Sequence, residues 1–353
     1  MHFYEYLFAA IAIVMMILAS SLMIATLTNP QTKVSETELL KITGEKIMNQ
    51  ILFDPGDPPE WGSNHDIPIS QLHAFGLAKY NETTRGAYVL DSDKIFRLSN
   101  ETNTDKRLRS LIPDLLNLGK DYGIALEFTT PLNVNVTLLP NTSDVSIYDV
   151  SVTSPLGGLP VYGATVISSL YYVSGGQIVS QSKPAVTTDA TGNCQIVFAV
   201  PSGQTKTLVV SVDYSNIHVL KVHVKPAATD PDATRIGGEV YSGTPLETTS
   251  TAIQIIVPSE KGNYTIKSLN STIVPLQNGW YQLSYNEPAT VATLVMANGD
   301  LVCAKKDVST ANYTSISVDF SQLVNPVSYT IDRTVRIDEL TYSIRLYIWR
   351  MSY

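Results

Sequence analysis

The chain has 353 residues, of which 44% are hydrophobic and only 16% charged, with a formal net charge of -8. That length holds two or three domains able to bury their own cores. The negative charge is spread out, with no basic run of the kind that grips phosphate backbones, so nucleic acid is excluded as an expected partner.

From Tyr6 to Leu27 there are twenty-two residues without a charge. As a helix rising ~1.5 Å per residue they span ~33 Å, the thickness of a bilayer's hydrocarbon core. The expectation is a transmembrane anchor over 1–30, with membrane lipid as a partner and everything after it on one side of the membrane. Lys33, Lys41 and Lys46 follow the anchor, which taken alone would hold the body inside, but long domains override that rule. Seven N-x-S/T sequons, at Asn81, Asn100, Asn135, Asn141, Asn263, Asn270 and Asn312, are candidate acceptors of N-linked glycans. Together these place the body outside the cytoplasm of a single-pass cell-membrane protein.

Asn29-Pro30 is expected to kink or interrupt the helix, which resumes as a stalk over 31–53. Ser35 and Glu38 have capping-box spacing, and Leu40, Gly44, Ile47 and Ile51 share a face beside Leu39, Met48 and Leu52. That stripe packs either on the next domain or on copies of itself. Asp54 to Asn64 carries three prolines and two glycines in eleven residues and reads as a turn, with Trp61 filling an apolar gap. Asp54, Asp57 and Glu60 lie near His65 and Asp66, but the spacing fits no Ca²⁺ loop or zinc motif, so they read as solvated turn acids. Asp91 is placed to cap one short helix and Asp105 another that stops at Gly119 and bends at Pro113. Alternating apolar residues from Tyr122 to Leu139 then predict one or two strands, making 54–141 a small α+β head.

The hydrophobic first helix with Glu5, its amphipathic continuation, and then Pro55-Gly56, Trp61-Gly62 and Phe75-Gly76-Leu77-Ala78 form one pattern. Over residues 1 to 140 plus the last strands, that pattern resembles archaeal type IV pilin-like proteins. The resemblance implies a subunit whose Glu5 meets the amino terminus of a neighbouring copy in an apolar filament core. The other reading of Glu5 is an acid at the membrane edge. Pilin precursors carry a short basic leader and Met1 to Glu5 do not, so the chain is expected either to begin after processing or to keep an unprocessed anchor.

Between Ser146 and Lys225 short β-rich runs alternate with turn signals, predicting a β-sandwich over 142–226. Leu159-Pro160-Val161-Tyr162-Gly163-Ala164-Thr165-Val166 and Thr188-Asp189-Ala190-Thr191-Gly192 resemble bacterial Ig-like repeats of invasin-type surface proteins, which implies a spacer or adhesive module. His218 and His223 are an odd number apart and face opposite sides of a strand, so they share no metal. The cysteines, Cys194 and Cys303, are isolated and read as small core residues, with a disulfide or reactive thiol as the alternative.

Ala227 to Thr234 reads as a linker, and 227–353 as a second β domain in which Asn278-Gly279 and Asn298-Gly299 are hairpin signals. The final strand alternates Tyr342, Ile344, Leu346 and Ile348 with Ser343, Arg345, Tyr347 and Trp349. It closes its own sheet or adds to a neighbour's edge. No nucleophile elbow, phosphate loop, dinucleotide fingerprint or HExxH occurs. Lys305-Lys306, Lys94 and Arg97 read as ordinary solvated charges.

The expected fold class is therefore mainly β with an N-terminal transmembrane helix: a long N-terminal helix, a small α+β head, an Ig-like β-sandwich and a second β domain. The expected function is a non-enzymatic, cell-surface structural or adhesive protein that self-associates or joins other envelope proteins, with no catalytic residue, metal or cofactor. The alternative is a partner- or solute-binding ectodomain of a membrane complex.

Overall fold

The computed structural model describes the backbone of residues 3–64, 67, 69–80, 88–99, 106–119, 121–140, 145–155, 157–200, 205–225, 233–248, 251–259, 264–285, 290–306, 308, 312–314, 328–338 and 340–351; within its helices and strands the side chains of 3–12, 22–35, 106–110, 225, 251–252, 270–271, 312 and 314 lie outside the description. In chain order these form α1 (Phe3–Phe53), β1 (Val89–Leu90), α2 (Ser92–Ser99), α3 (Lys106–Leu115), β2 (Tyr122–Thr129) and β3 (Asn133–Leu139). Then come β4 (Ser146–Thr153), β5 (Thr165–Ser174), β6 (Gln177–Thr187), β7 (Asn193–Phe198), β8 (Lys206–Tyr214) and β9 (Ile217–Lys225). The remainder is β10 (Thr234–Ile236), β11 (Glu239–Tyr241), β12 (Thr251–Pro258), β13 (Tyr264–Ser271), β14 (Ile273–Pro275), β15 (Trp280–Leu283), β16 (Ala292–Ala297), β17 (Asp300–Lys305), β18 (Asn312–Thr314), β19 (Ser328–Ile337) and β20 (Leu340–Arg350). The protein is mainly β.

The first expectation to be corrected is the anchor. Among the described residues, no helix is long and apolar enough to cross a membrane. The described side chains of the run are those from Ile13 to Ser21, about 14 Å of helix against the ~30 Å that a bilayer core demands. From Glu36 onward the same helix carries Glu38, Lys41, Glu45 and Lys46. The transmembrane part of the fold class, and with it the single-pass location in a cell membrane, is not supported. Nor does Pro30 interrupt anything, since α1 is one helix of 51 residues from Phe3 to Phe53. A proline deletes one backbone hydrogen bond, which a helix with turns on both sides survives.

The lower part of α1 lies on a five-stranded sheet of order β1-β19-β20-β2-β18. Leu40, Ile47, Met48, Ile51 and Leu52 are buried in the same core as Ile331, Ile344, Leu346 and Ile348. The stalk stripe therefore packs on the chain's own head, while Leu39, expected beside it, is exposed. Arg333 on β19 pairs with Glu45 of the helix at 2.6 Å.

Strand pairing runs across the expected domain boundaries. β20 lies between β19 and β2, with Leu346 opposite both Ile331 and Leu126. It closes a sheet of its own chain rather than a neighbour's edge, and that sheet joins β19, from the expected second β domain, to β2, from the expected head. β18 likewise returns to pair with β2. The head is thus assembled from residues at both ends of the chain. β3, expected in the head, pairs along its length with β4.

The central unit is a sandwich of two antiparallel sheets, β3-β4-β7 and β6-β5-β8-β9, around Tyr148, Val150, Phe198, Leu208, Val210 and Val212. The two motifs singled out in the sequence meet here. Thr188 Oγ1 donates to the Val161 carbonyl at 2.6 Å and accepts from Ala164 N at 2.9 Å. Asp189 Oδ1 accepts from the amides of Thr191 and Asn193, which starts β7. Gly192 has φ +76°, and a Cβ there would stand 2.6 Å from the Val152 carbonyl oxygen, so only glycine fits. β8 is buried on both faces. Its inner residues fill the sandwich, and its outer Val209 joins Tyr171, Leu220 and Val222 in the core shared with the head and the third unit. This is why Leu208-Val209-Val210 is a continuous apolar run rather than an alternating one.

The third unit is an eight-stranded sheet, β13-β12-β16-β17-β10-β11-β15-β14. Asn278-Gly279 and Asn298-Gly299 take positive φ at both positions, turning β14 into β15 and β16 into β17 as primed hairpin turns require. Tyr264 OH donates to Ser169 Oγ at 2.6 Å, tying this unit to the sandwich.

Candidate functional site

Two regions stand apart from ordinary packing: the upper part of α1, and a buried cluster of charges where the head meets the third unit. On α1, Ile13, Val14, Met15, Met16, Ile17 and Leu18 are each between 53% and 68% exposed. Six consecutive residues face every direction around a helix, so the apolar surface is a collar rather than a stripe. Contiguous exposed apolar surface of this kind marks an interaction site.

The charged cluster is built from α2. Asp91 Oδ1 accepts from the amides of Asp93 at 2.9 Å and Lys94 at 3.4 Å, the N-cap expected of it. That cap fixes the orientation of Lys94 and Arg97, one turn apart. Lys94 Nζ donates to the carbonyls of Pro55 at 2.7 Å and Ala78 at 2.9 Å. Arg97 donates to the carbonyls of Trp61, Asn64 and Ile67. Both side chains are buried, contrary to the expectation of solvated charges. The Pro- and Gly-rich loop of 54–64 forms no ladder of its own, so its carbonyls need donors from elsewhere. Trp61 fills the gap beside them, its Nε1 donating to Gly76 O at 3.2 Å.

Burial lowers the Lys94 ammonium from 10.5 to about 8, with Asp91 and Asp54 opposing the fall. The unfolded chain keeps that proton until ~10.5, so between pH 8 and 10.5 it binds more protons than the folded chain, and stability rises with pH. The difference in unfolding free energy between wild type and Lys94→Met, measured by urea titration, should therefore shift in favour of wild type by up to about 3 kcal/mol across that range. A flat difference would contradict a buried ammonium.

Lys306, also expected to be solvated, is buried and contacts Asp93 Oδ1 at 2.5 Å. Its Nζ lies 3.1 Å from Ser92 Oγ, and Gly237 N donates to the same Asp93 oxygen at 3.1 Å. Asp338, in the turn between β19 and β20, lies 3.6 Å from Lys79. Burial pushes its carboxyl up to about 6, against the pull of Lys306 and Lys79. No motif points to this cluster, because its members come from residues 79 to 338.

No protein-family model matches the sequence, and no curated protein does.

Glu5 lies in α1 with its side chain outside the description, so the structure places it on the helix and no further. Of the sequons, Asn135 is exposed on β3, Asn270 and Asn312 lie on β13 and β18 with their side chains undescribed, and Asn81, Asn100, Asn141 and Asn263 fall outside the described residues, as do His65, Asp66 and Asp105. Among the described residues no group of three or more His, Cys, Asp or Glu is arranged to hold a metal. Cys194 and Cys303 lie in separate units and are not joined by a disulfide, and burial raises the Cys194 thiol to about 11, away from reactivity. His218 faces Asp213 at 3.5 Å while His223 packs edge-on against Tyr148. The aromatic and cationic face of β20 is satisfied internally: Arg345 Nε donates to Asp332 at 2.6 Å and Tyr347 OH to Glu127 at 2.9 Å.

Proposed function

We propose that this chain is a non-enzymatic structural and adhesive subunit, pilin-like in its long helix and head, that associates with copies of itself through the upper part of α1 and presents β units at the other end. The observation carrying this reading is the apolar collar from Ile13 to Leu18 on a helix whose lower part is docked on its own head. The docked end fixes the direction of the helix, and the collar offers surface that water disfavours. Glu5 would then neutralise the amino terminus of a neighbour within the apolar assembly. The sandwich supports an Ig-like reading by its three- and four-stranded sheets and by the Thr188-to-Val161 stitch, and the exposed Asn135 would carry a glycan.

A second reading, partner recognition without self-assembly, draws on Leu159 and Tyr162, exposed at 66% and 70% at one end of the sandwich. Tyrosine offers large contact area with few torsions to freeze.

Negative-stain microscopy of the purified full chain separates the two. Self-assembly predicts filaments or regular multimers, lost in Val14→Asp/Ile17→Asp and in Glu5→Gln but retained in Leu159→Ser/Tyr162→Ser. Single particles in wild type would sink the subunit reading.

A further inference from the structure

Lys306 and Asp93 lie 213 residues apart, one just past the end of β17 and the other in the first turn of α2. They meet at 2.5 Å with side chains only 2% and 3% exposed. A buried ion pair is costly to hold, because neither charge recovers in the interior the hydration it gave up. The surroundings supply what an amide-forming reaction needs. Gly237 N–H points at the Asp93 oxygen that would remain as the carbonyl, where a backbone donor stabilises developing negative charge. Lys306 Nζ is within hydrogen-bond distance of Ser92 Oγ, and Ser92 is in turn hydrogen-bonded to the Asp338 carboxyl. An ammonium, a hydroxyl and a second carboxyl thus form a proton path beside the pair. Reactants held in contact, in a site closed to water, gain the advantage of an intramolecular reaction, with effective molarities on the order of 10⁵ M or more.

We infer that Lys306 and Asp93 condense to an intramolecular amide that fastens the third β unit covalently to the head. The Lys306 Nζ to Asp93 Cγ bond forms and one C–O bond of Asp93 breaks. The ammonium passes a proton through Ser92 to the Asp338 carboxylate, and the leaving oxygen collects two protons and departs as water. One carboxylate and one ammonium become one amide and one water, so charge and atoms balance with no oxidant or other reagent. Burial raises the proton affinity of Asp338, which suits it to take a proton from the ammonium and return it to the leaving oxygen. The product replaces two buried charges by a neutral group. In a chain whose head is closed by its last strand, such a bond would prevent the third unit from being pulled away. It is independent of the proposal for α1.

The test is the mass of the full chain produced in a bacterial host that adds no glycans. The folded protein should be lighter than its sequence by about 18 Da, one water. After digestion, the peptide containing Asp93 should be recovered joined to the one containing Lys306, under reducing conditions. Asp93→Ala and Lys306→Arg should each restore the sequence mass. Asp338→Asn should form the linked species at least tenfold more slowly, followed as linked fraction against time after synthesis between pH 5 and 8. Wild type at the full sequence mass, with the two peptides recovered separately, overturns the proposal; conversion of Asp338→Asn at the wild-type rate overturns the proton route.

Discussion

A chain ended after Asp338, lacking β20, is expected to lose the head while keeping the sandwich. β20 pairs with β19 from Ser328 to Ile337 and with β2 from Tyr122 to Thr129, so its removal strips hydrogen bonds from both neighbours at once. It also removes Ile344, Leu346 and Ile348, fully buried beneath α1, together with Tyr342 and Trp349. At roughly 1.5–3 kcal/mol for each large apolar side chain withdrawn from water, the loss is on the order of 10 kcal/mol. That is comparable to the entire net stability of an ordinary domain, about 5–15 kcal/mol. The sandwich core, by contrast, draws its buried residues from Leu132 to Val219. Hydrogen exchange read by mass spectrometry should show β2 and β19 unprotected in the truncated chain, with β4 and the inner residues of β8 close to wild type. Protected amides in β2 would mean that β20 is dispensable, contrary to its central place.

The second large effect is expected at Gly76. The segment Ala74–Ala78 is laid against the end of α1: Leu77 N donates to Ile51 O at 2.9 Å and Ala78 N to Asp54 O at 3.1 Å. A Cβ at Gly76 would stand 1.9 Å from the Asp54 carbonyl oxygen and 2.5 Å from its carbon. Those are backbone atoms that cannot rotate aside. Relief requires the segment to lift from the helix, and that unseats Phe75 and Leu77, both 0% exposed. Gly76→Ala should therefore cost about 4 kcal/mol or more, beyond the usual range for overpacking. The expected fall in Tm is about 10 °C or more, measured by circular dichroism. A Tm within a degree or two of wild type would mean that the segment does not approach the helix this closely.

Local order is legible in the sequence, and long-range order is not. Asp91 as a cap, the Asn-Gly turns and the strand-by-strand alternation of β4 depend on neighbours within a few residues, and those signals are written next to one another. The likeness around Pro160 and Asp189 points to two turns but does not reveal that Thr188 joins them. The return of β20 to β2 closes a loop of more than 200 residues, and nothing in the alternation of Tyr342 to Ile348 names a partner. The burial of Lys94, Arg97 and Lys306 is hidden for a related reason: a lysine beside apolar residues looks the same whether its ammonium meets water or a loop carbonyl. In β8 the opposite holds, because an apolar run without alternation signals two buried faces, although not what covers the second. At the N-terminus the uncharged run reads as a membrane span, whereas its described portion is a short exposed collar on a helix that continues, charged, into the head.

The central claim, that this collar brings copies of the chain together, is tested most directly by sedimentation velocity of the purified full chain over a range of concentrations. The account predicts concentration-dependent multimers in wild type and a monomer, folded by circular dichroism, when Val14 and Ile17 are both changed to Asp. A wild-type chain that stays monomeric throughout, or an Asp variant that assembles equally well, would contradict it.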